Sequence, residues 1–202
     1  MGFLDIRIEK TERAIKQAFM ELRAQKPVEK IKVKELCDLA CINKSTFYAH
    51  YEDIYELSSR LENKLIHVIL DSVPNVGLTA AHTEQLTRDL FHAFVQNQEA
   101  VNILFSGARQ GIFANCIEKG LRDRLAAKDP TFAADPDRGI LLSFCVQGCF
   151  YAFANNDAAN RTKLVLSGYF DPDGSVGPKT PVYVYYPIVV NRLQTGTIIT
   201  PS

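Results

Sequence analysis

Between Asn43 and Tyr51 five polar side chains, Lys44, Ser45, Thr46, Tyr48 and His50, surround two aromatic rings, Phe47 and Tyr51. Phe47 and Tyr51 are four positions apart, the spacing that puts two side chains on one face of a helix. The polar five are then left on the outward side. A helix face carrying donors of different lengths suits the phosphate oxygens and base edges of a duplex groove. Lys44 and Ser45 lie nearest the start of this helix, where base edges or phosphates come within reach.

The other reactive residue types form no comparable group. Five cysteines, Cys37, Cys41, Cys116, Cys145 and Cys149, match no zinc-site spacing. Odd in number and set within helical patterns, they read as reduced, buried thiols. Cys145 and Cys149 can share a helix face, where a role as small core residues is favoured over oxidant sensing. His67, His82 and His92 have no assignable catalytic partner. The chain has no Gly-rich phosphate loop, nucleophile elbow or metal-ligand spacing. The expectation is therefore a protein that is not an enzyme, with no metal and no cofactor. Phe91, Phe94, Phe105 and Phe113, with Phe144, Phe150, Tyr151 and Phe153 further on, fit either an apolar small-molecule pocket or plain core. The first four are the candidate ligand-binding residues.

The elements that position these residues are helical. Ile15, Ala18, Phe19 and Leu22 recur at helical spacing, with Lys16, Glu21 and Arg23 off that face, which predicts a helix over about 8–25 ended by Pro27. Ile31 and Val33 lead into a short helix expected to turn Leu36, Leu39 and Ala40 inward. Cys41-Ile42-Asn43 breaks the period, and Asn43 or Ser45 can cap a second short helix to about Tyr51. Two short helices joined by a tight turn and backed by a longer one make a helix-turn-helix pattern. A long helix follows from about Glu52, with Ile54, Leu57, Leu61, Leu65 and Ile69 as its stripe and Pro74 and Gly77 as its stop.

Further helices are marked by Leu86–Phe94, Val101–Phe105 and Ile112–Leu125, with a break from Asp129-Pro130 to Asp135-Pro136. Ile140–Phe153 is so continuously apolar that both sides must be covered, by the core or by another subunit. From Asp171 the composition changes. Val182–Val190 has strand composition and Thr197–Thr200 can pair with it, with Pro187 restricting the first strand to an edge or bulge. The expected class is all-α: a helix-turn-helix head over 1–51, a helical-bundle body over 52–170, and an atypical tail over 171–202, either an arm of β character or an alien terminus.

At 202 residues, 47% hydrophobic and 23% charged, the composition is that of a globular protein, and no apolar run approaches the roughly 20 residues of a membrane span. The first residues lack a basic cluster followed by an apolar stretch, so a cytoplasmic location is expected. Formal net charge is zero, but residues 1–50 carry ten basic and seven acidic side chains, so a basic head precedes an acidic remainder.

The segment from Val33 to Tyr51, followed by Glu52-Asp-Ile-Tyr-Glu-Leu57, resembles the signature of the TetR family of transcriptional regulators. The resemblance covers about residues 8–60 and includes the apolar positions of both short helices, the Ser-Thr-Phe-Tyr start of the recognition helix and Tyr51 before the long helix. The head is most similar to the branch related to regulators of dihydroxyacetone kinase operons. The resemblance implies that Tyr48, His50 and the Thr46 hydroxyl contact phosphates, while Lys32 and Lys34 anchor flanking phosphates. Two positions depart from the pattern: Cys41 stands where the family usually has Gly, and Ile54 where it usually has Lys.

The function so implied is a DNA-binding regulator, a homodimeric repressor on a palindromic operator, released by a small-molecule effector in the body. The competing reading is a protein-binding adaptor, since some members of that branch work through a partner protein.

Overall fold

The computed structural model describes residues 3–73 and 80–156. The strand-like tail and the stop at Pro74 and Gly77 lie outside the described residues. Those described form eight α-helices and no strand: α1 Phe3–Gln25, α2 Val33–Ala40, α3 Lys44–His50, α4 Ile54–Asp71, α5 Ala80–Gln96, α6 Gln98–Leu104, α7 Gln110–Lys128 and α8 Pro136–Ala154. Short 3-10 turns occupy Val28–Lys30, Gly107–Arg109 and Pro130–Ala134. The all-α expectation holds.

The chain divides into two compact units. Among the described residues, one takes in 3–68 and Asn97–Phe113; the other takes in 69–73, 80–96 and 114–156. In the first unit α1 packs on α2 and α6, and α2 packs on α3. Ile15, Ala18, Phe19 and Leu22 are buried as their spacing requires. Arg23 joins them at 5% exposure. It lies four residues after Phe19, and that spacing returns it to the buried face from which the sequence reading had excluded it.

In α2 the inward residues are Leu36 and Cys37, whereas Leu39 is exposed. At about 3.6 residues per turn, Val33 and Ala40 fall between Leu36 and Cys37, and Leu39 falls outside that arc. Glu52 and Asp53 precede α4 and do not open it: Asp53 Oδ1 accepts the Glu56 N–H at 2.7 Å, and Glu56 Oε2 accepts the Glu52 N–H at 2.5 Å. One orphan donor of the helix start, the Glu56 N–H, and the Glu52 N–H ahead of the cap are thereby satisfied.

In the second unit α5 packs along α8, and Phe94 meets Phe150 and Phe153 edge-on at 6.2 and 5.9 Å. The two Asp-Pro pairs bound a 3-10 turn. Asp129 accepts the Thr131 N–H, and Asp135 caps α8 by accepting the N–H groups of Asp137 and Arg138, with Pro136 at the first helical position. Leu141, Leu142, Cys145, Val146, Cys149 and Phe153 turn inward, whereas Ile140, Phe144 and Tyr151 stand exposed on the single chain. Cys145 and Cys149 are free and buried, and burial raises both thiols, Cys145 to about 11. A nucleophilic thiolate is therefore suppressed at both positions.

Candidate nucleic-acid interface

The turn between α2 and α3 sets the direction of the five candidate contacts on α3, Lys44, Ser45, Thr46, Tyr48 and His50. Cys41 closes α2 in the left-handed region, φ 55° and ψ 42°, with the Ile42 N–H returning to Cys37 O at 3.0 Å. This is the conformation that glycine adopts freely and that costs an L side chain on the order of 1 kcal/mol. Asn43 then takes the cap. Its Oδ1 accepts the Thr46 N–H at 2.7 Å and the hydroxyls of Ser45 and Thr46 at 2.7 and 2.8 Å. Of the two candidate caps, Asn43 is the one used. Each hydroxyl can turn to a phosphate oxygen while the backbone bond still holds the helix start.

Phe47 is fully buried and Tyr51 is 2% exposed, their rings 5.8 Å apart. They are the inward pair that their spacing predicted. Arg60 lies over the Tyr51 ring at 5.2 Å, and burial, reinforced by Glu12, pushes the Tyr51 hydroxyl up to about 12. Tyr51 therefore stays neutral and acts as a wedge. The adjacent Tyr48 is 56% exposed and stands edge-on to Phe47 at 5.5 Å, a contact that limits its motion while much of the side chain meets solvent. Lys44 and Ser45 are exposed; Thr46 and His50 are half-buried.

Lys32, the cap residue of α2, and Lys34 in its first turn are both exposed. Neither they nor Lys44 enter an ion pair among the described residues. Lys26 is occupied by Glu35 at 2.5 Å, which draws an acidic group on α2 away from Lys32 and Lys34. The seven candidates thus belong to α2, α3 and the residue preceding α2, within one unit.

The candidate effector residues are all core. Phe105 and Phe113 meet in the first unit, ring centroids 4.9 Å apart, while Phe91 and Phe94 are buried in the second. Two clefts among the described residues, of about 520 and 360 Å³, are lined by none of the four. A polar cluster in the first unit, not expected from the sequence, brings Arg23 to Leu104 and Ser106, and Arg109 with Ser58 to Glu62. The signal for Arg23 was its place in the α1 stripe.

No family model matches the chain, and no curated protein does. Among solved structures, one of a transcriptional regulator (TerR/AcrR family) from Aquifex aeolicus VF5 matches with a TM-score of 0.50 and 19% identity, over 79% of this chain and 98% of that one. The likeness shows a TetR-like fold.

Proposed function

We propose that this chain is a transcriptional regulator whose head, residues 1–51, reads double-stranded operator DNA in the cytoplasm. The carrying observation is α3 itself: Phe47 and Tyr51 buried beneath it, and Lys44, Ser45 and Tyr48 exposed above it. A helix so anchored can enter a major groove with its first residues toward the bases. Lys44 and Ser45 are assigned to base edges or nearby phosphates. Thr46, Tyr48, His50, Lys32 and Lys34 are assigned to the phosphate backbone.

One such helix spans only a few base pairs, so the active species is a symmetric homodimer on a near-palindromic site. The exposed Ile140, Phe144 and Tyr151 on α8 support that reading. The protein acts as a repressor, and an effector held in the body, residues 52–170, releases it. The test is selection of bound sequences from a random duplex pool, followed by titration over a range of salt. A palindromic consensus and a steep salt slope are expected; binding with no sequence preference would defeat the proposal.

The adaptor reading has one observation in its favour. Phe91, Phe94, Phe105 and Phe113 are packed as core, which suits a surface-borne signal from a partner protein better than a preformed apolar cavity. Reciprocity separates the two: an allosteric metabolite must bind with different affinity when operator is present. Failure of a broad metabolite screen by that criterion would favour the adaptor. Residues 171–202 are assigned no part in DNA reading.

A further inference from the structure

The C-terminal end of α1 and the 3-10 turn Gly107–Arg109, both in the first unit, border a cleft of about 360 Å³ whose lining includes Arg23, Gln25, Lys26, Glu29, Ser106 and Arg109. Arg23 is 5% exposed, yet among the described residues it forms no ion pair with a carboxylate. Its Nη1 donates to Ser106 Oγ at 3.0 Å and to Lys26 O at 3.4 Å, and its Nη2 donates to Leu104 O at 3.3 Å. All three acceptors are neutral. Among the described residues its Nε has no hydrogen-bond partner, and neither has that of Arg109.

The neighbouring charges are otherwise engaged. Arg109 pairs with Glu62 and Lys26 with Glu35, each at 2.5 Å. Glu29, exposed at the rim, acts on Arg23 only from beyond ion-pair distance. A guanidinium withdrawn from water without an anion beside it is costly, and native proteins balance such charges. Burial lowers the Arg23 pKa; the charges of Glu29 and Glu62 oppose that shift in part, and the Arg109 charge adds to it. Gly107, at φ +63°, is also part of the lining and has nothing within 4 Å of the position a β-carbon would take.

We infer that this cleft binds an oxyanion, the phosphate or carboxylate group of a small metabolite, with Arg23 as its central donor and Lys26, Arg109 and Ser106 around it. A planar guanidinium presents parallel N–H groups that match two oxygens of such an anion. The Ser106 hydroxyl, which accepts from Arg23 and lies 3.5 Å from Ile103 O, can redirect its proton to the ligand. The bound group would join α1, on which α2 packs, to the turn ahead of α7. An effect on operator affinity rests on the regulator reading above; the binding itself does not.

The experiment follows the unfolding temperature and binding heat of the full chain as inorganic phosphate or succinate is added, against sodium chloride at matched ionic strength. A saturable response is expected, half-maximal at roughly millimolar anion. A response to phosphate, to succinate or to both supports the site and identifies the group it takes. Arg23→Gln should abolish the response. Because that change also removes buried bonds, Gln25→Glu serves as the second variant: nearly isosteric, it supplies a carboxylate at the cleft wall. It should fold normally and weaken the anion response at least tenfold. No response beyond that of chloride, or an undiminished response in Gln25→Glu, would overturn the inference. A chain that binds anion yet no DNA would leave this site standing and remove only the regulator reading.

Discussion

Arg109 Nη2 donates to Glu62 Oε2 at 2.5 Å, joining the 3-10 turn ahead of α7 to a carboxylate that is 5% exposed on α4. Ser58 Oγ donates to the second oxygen of the same carboxylate at 2.7 Å. Arg109→Ala leaves Glu62 buried with one neutral donor. About a third of the Arg109 side chain remains in contact with solvent, so the expected loss is roughly 2 kcal/mol and not the larger cost of a fully buried pair. Glu62→Gln, which keeps a hydrogen bond to either partner, should lose less. Urea titration of the two single variants and the double measures the coupling; additive losses would mean the pair contributes no interaction of its own.

Cys41→Gly should stabilise the chain by up to about 1 kcal/mol, because φ 55° is free of β-carbon strain only for glycine. The larger conformational freedom of glycine in the unfolded chain offsets part of that gain. Cys41→Val should destabilise, since a branched β-carbon worsens the same clash. Thermal unfolding checks both, and equal midpoints for glycine and valine would refute the strain.

The head was legible because its determinants are local. The four-residue spacing of Phe47 and Tyr51, the cap at Asn43 and the stop at Pro27 each depend on neighbours a turn away. Arg23 and Leu39 were misplaced for the opposite reason. Whether a polar residue is drawn in, or an apolar one left out, depends on what another segment offers. The carbonyl of Leu104 and the hydroxyl of Ser106, about eighty positions on, are what let Arg23 lie buried. The same holds for Phe91, Phe94, Phe105 and Phe113: helical spacing marks them as inward but does not say whether a cavity or other side chains will meet them.

Asp129 accepts from Thr131 Oγ1 at 2.6 Å, Arg138 Nη1 at 2.7 Å and the Thr131 N–H at 3.0 Å, which together hold its carboxyl at about 2. A carboxyl depressed in the folded state stabilises it at pH values above its ordinary value of 3.8, and that contribution is lost as pH falls toward 2. Asp129→Asn should therefore be less stable than the parent at neutral pH, with the gap narrowing between those two values. A gap that stays constant down to pH 2 would show that the ionised form has no special role.

Tyr48→Phe removes an exposed hydroxyl and leaves the ring against Phe47, so it should weaken all DNA binding several-fold without altering the fold. Lys34→Ala should also weaken binding and reduce the slope of log affinity against log salt by about one unit. Substitutions at Lys44 or Ser45 should instead change the preferred sequence. If the Tyr48 and Lys34 changes together left operator affinity untouched, α3 would not be the reading helix.

Ile140, Phe144 and Tyr151 fall on one side of α8 and are 68%, 40% and 71% exposed on the single chain. Gly148 lies on that side as well, and a β-carbon there would meet nothing within 4 Å, so a second helix can approach closely. The opposite side of α8 is already buried, so among the described residues the apolar stripe is left uncovered. Its burial against a second copy would contribute about 25 cal/mol for each Å² removed from water. Ile140→Glu combined with Tyr151→Asp should therefore leave the far-ultraviolet spectrum intact and convert a dimer at micromolar concentration into a monomer by sedimentation equilibrium. Operator affinity should fall with it, because one head then holds one half-site without the second bound alongside. A double variant that remains dimeric would place the subunit interface elsewhere on the chain, and a parent chain that is monomeric at micromolar concentration would remove the homodimer from the proposed function.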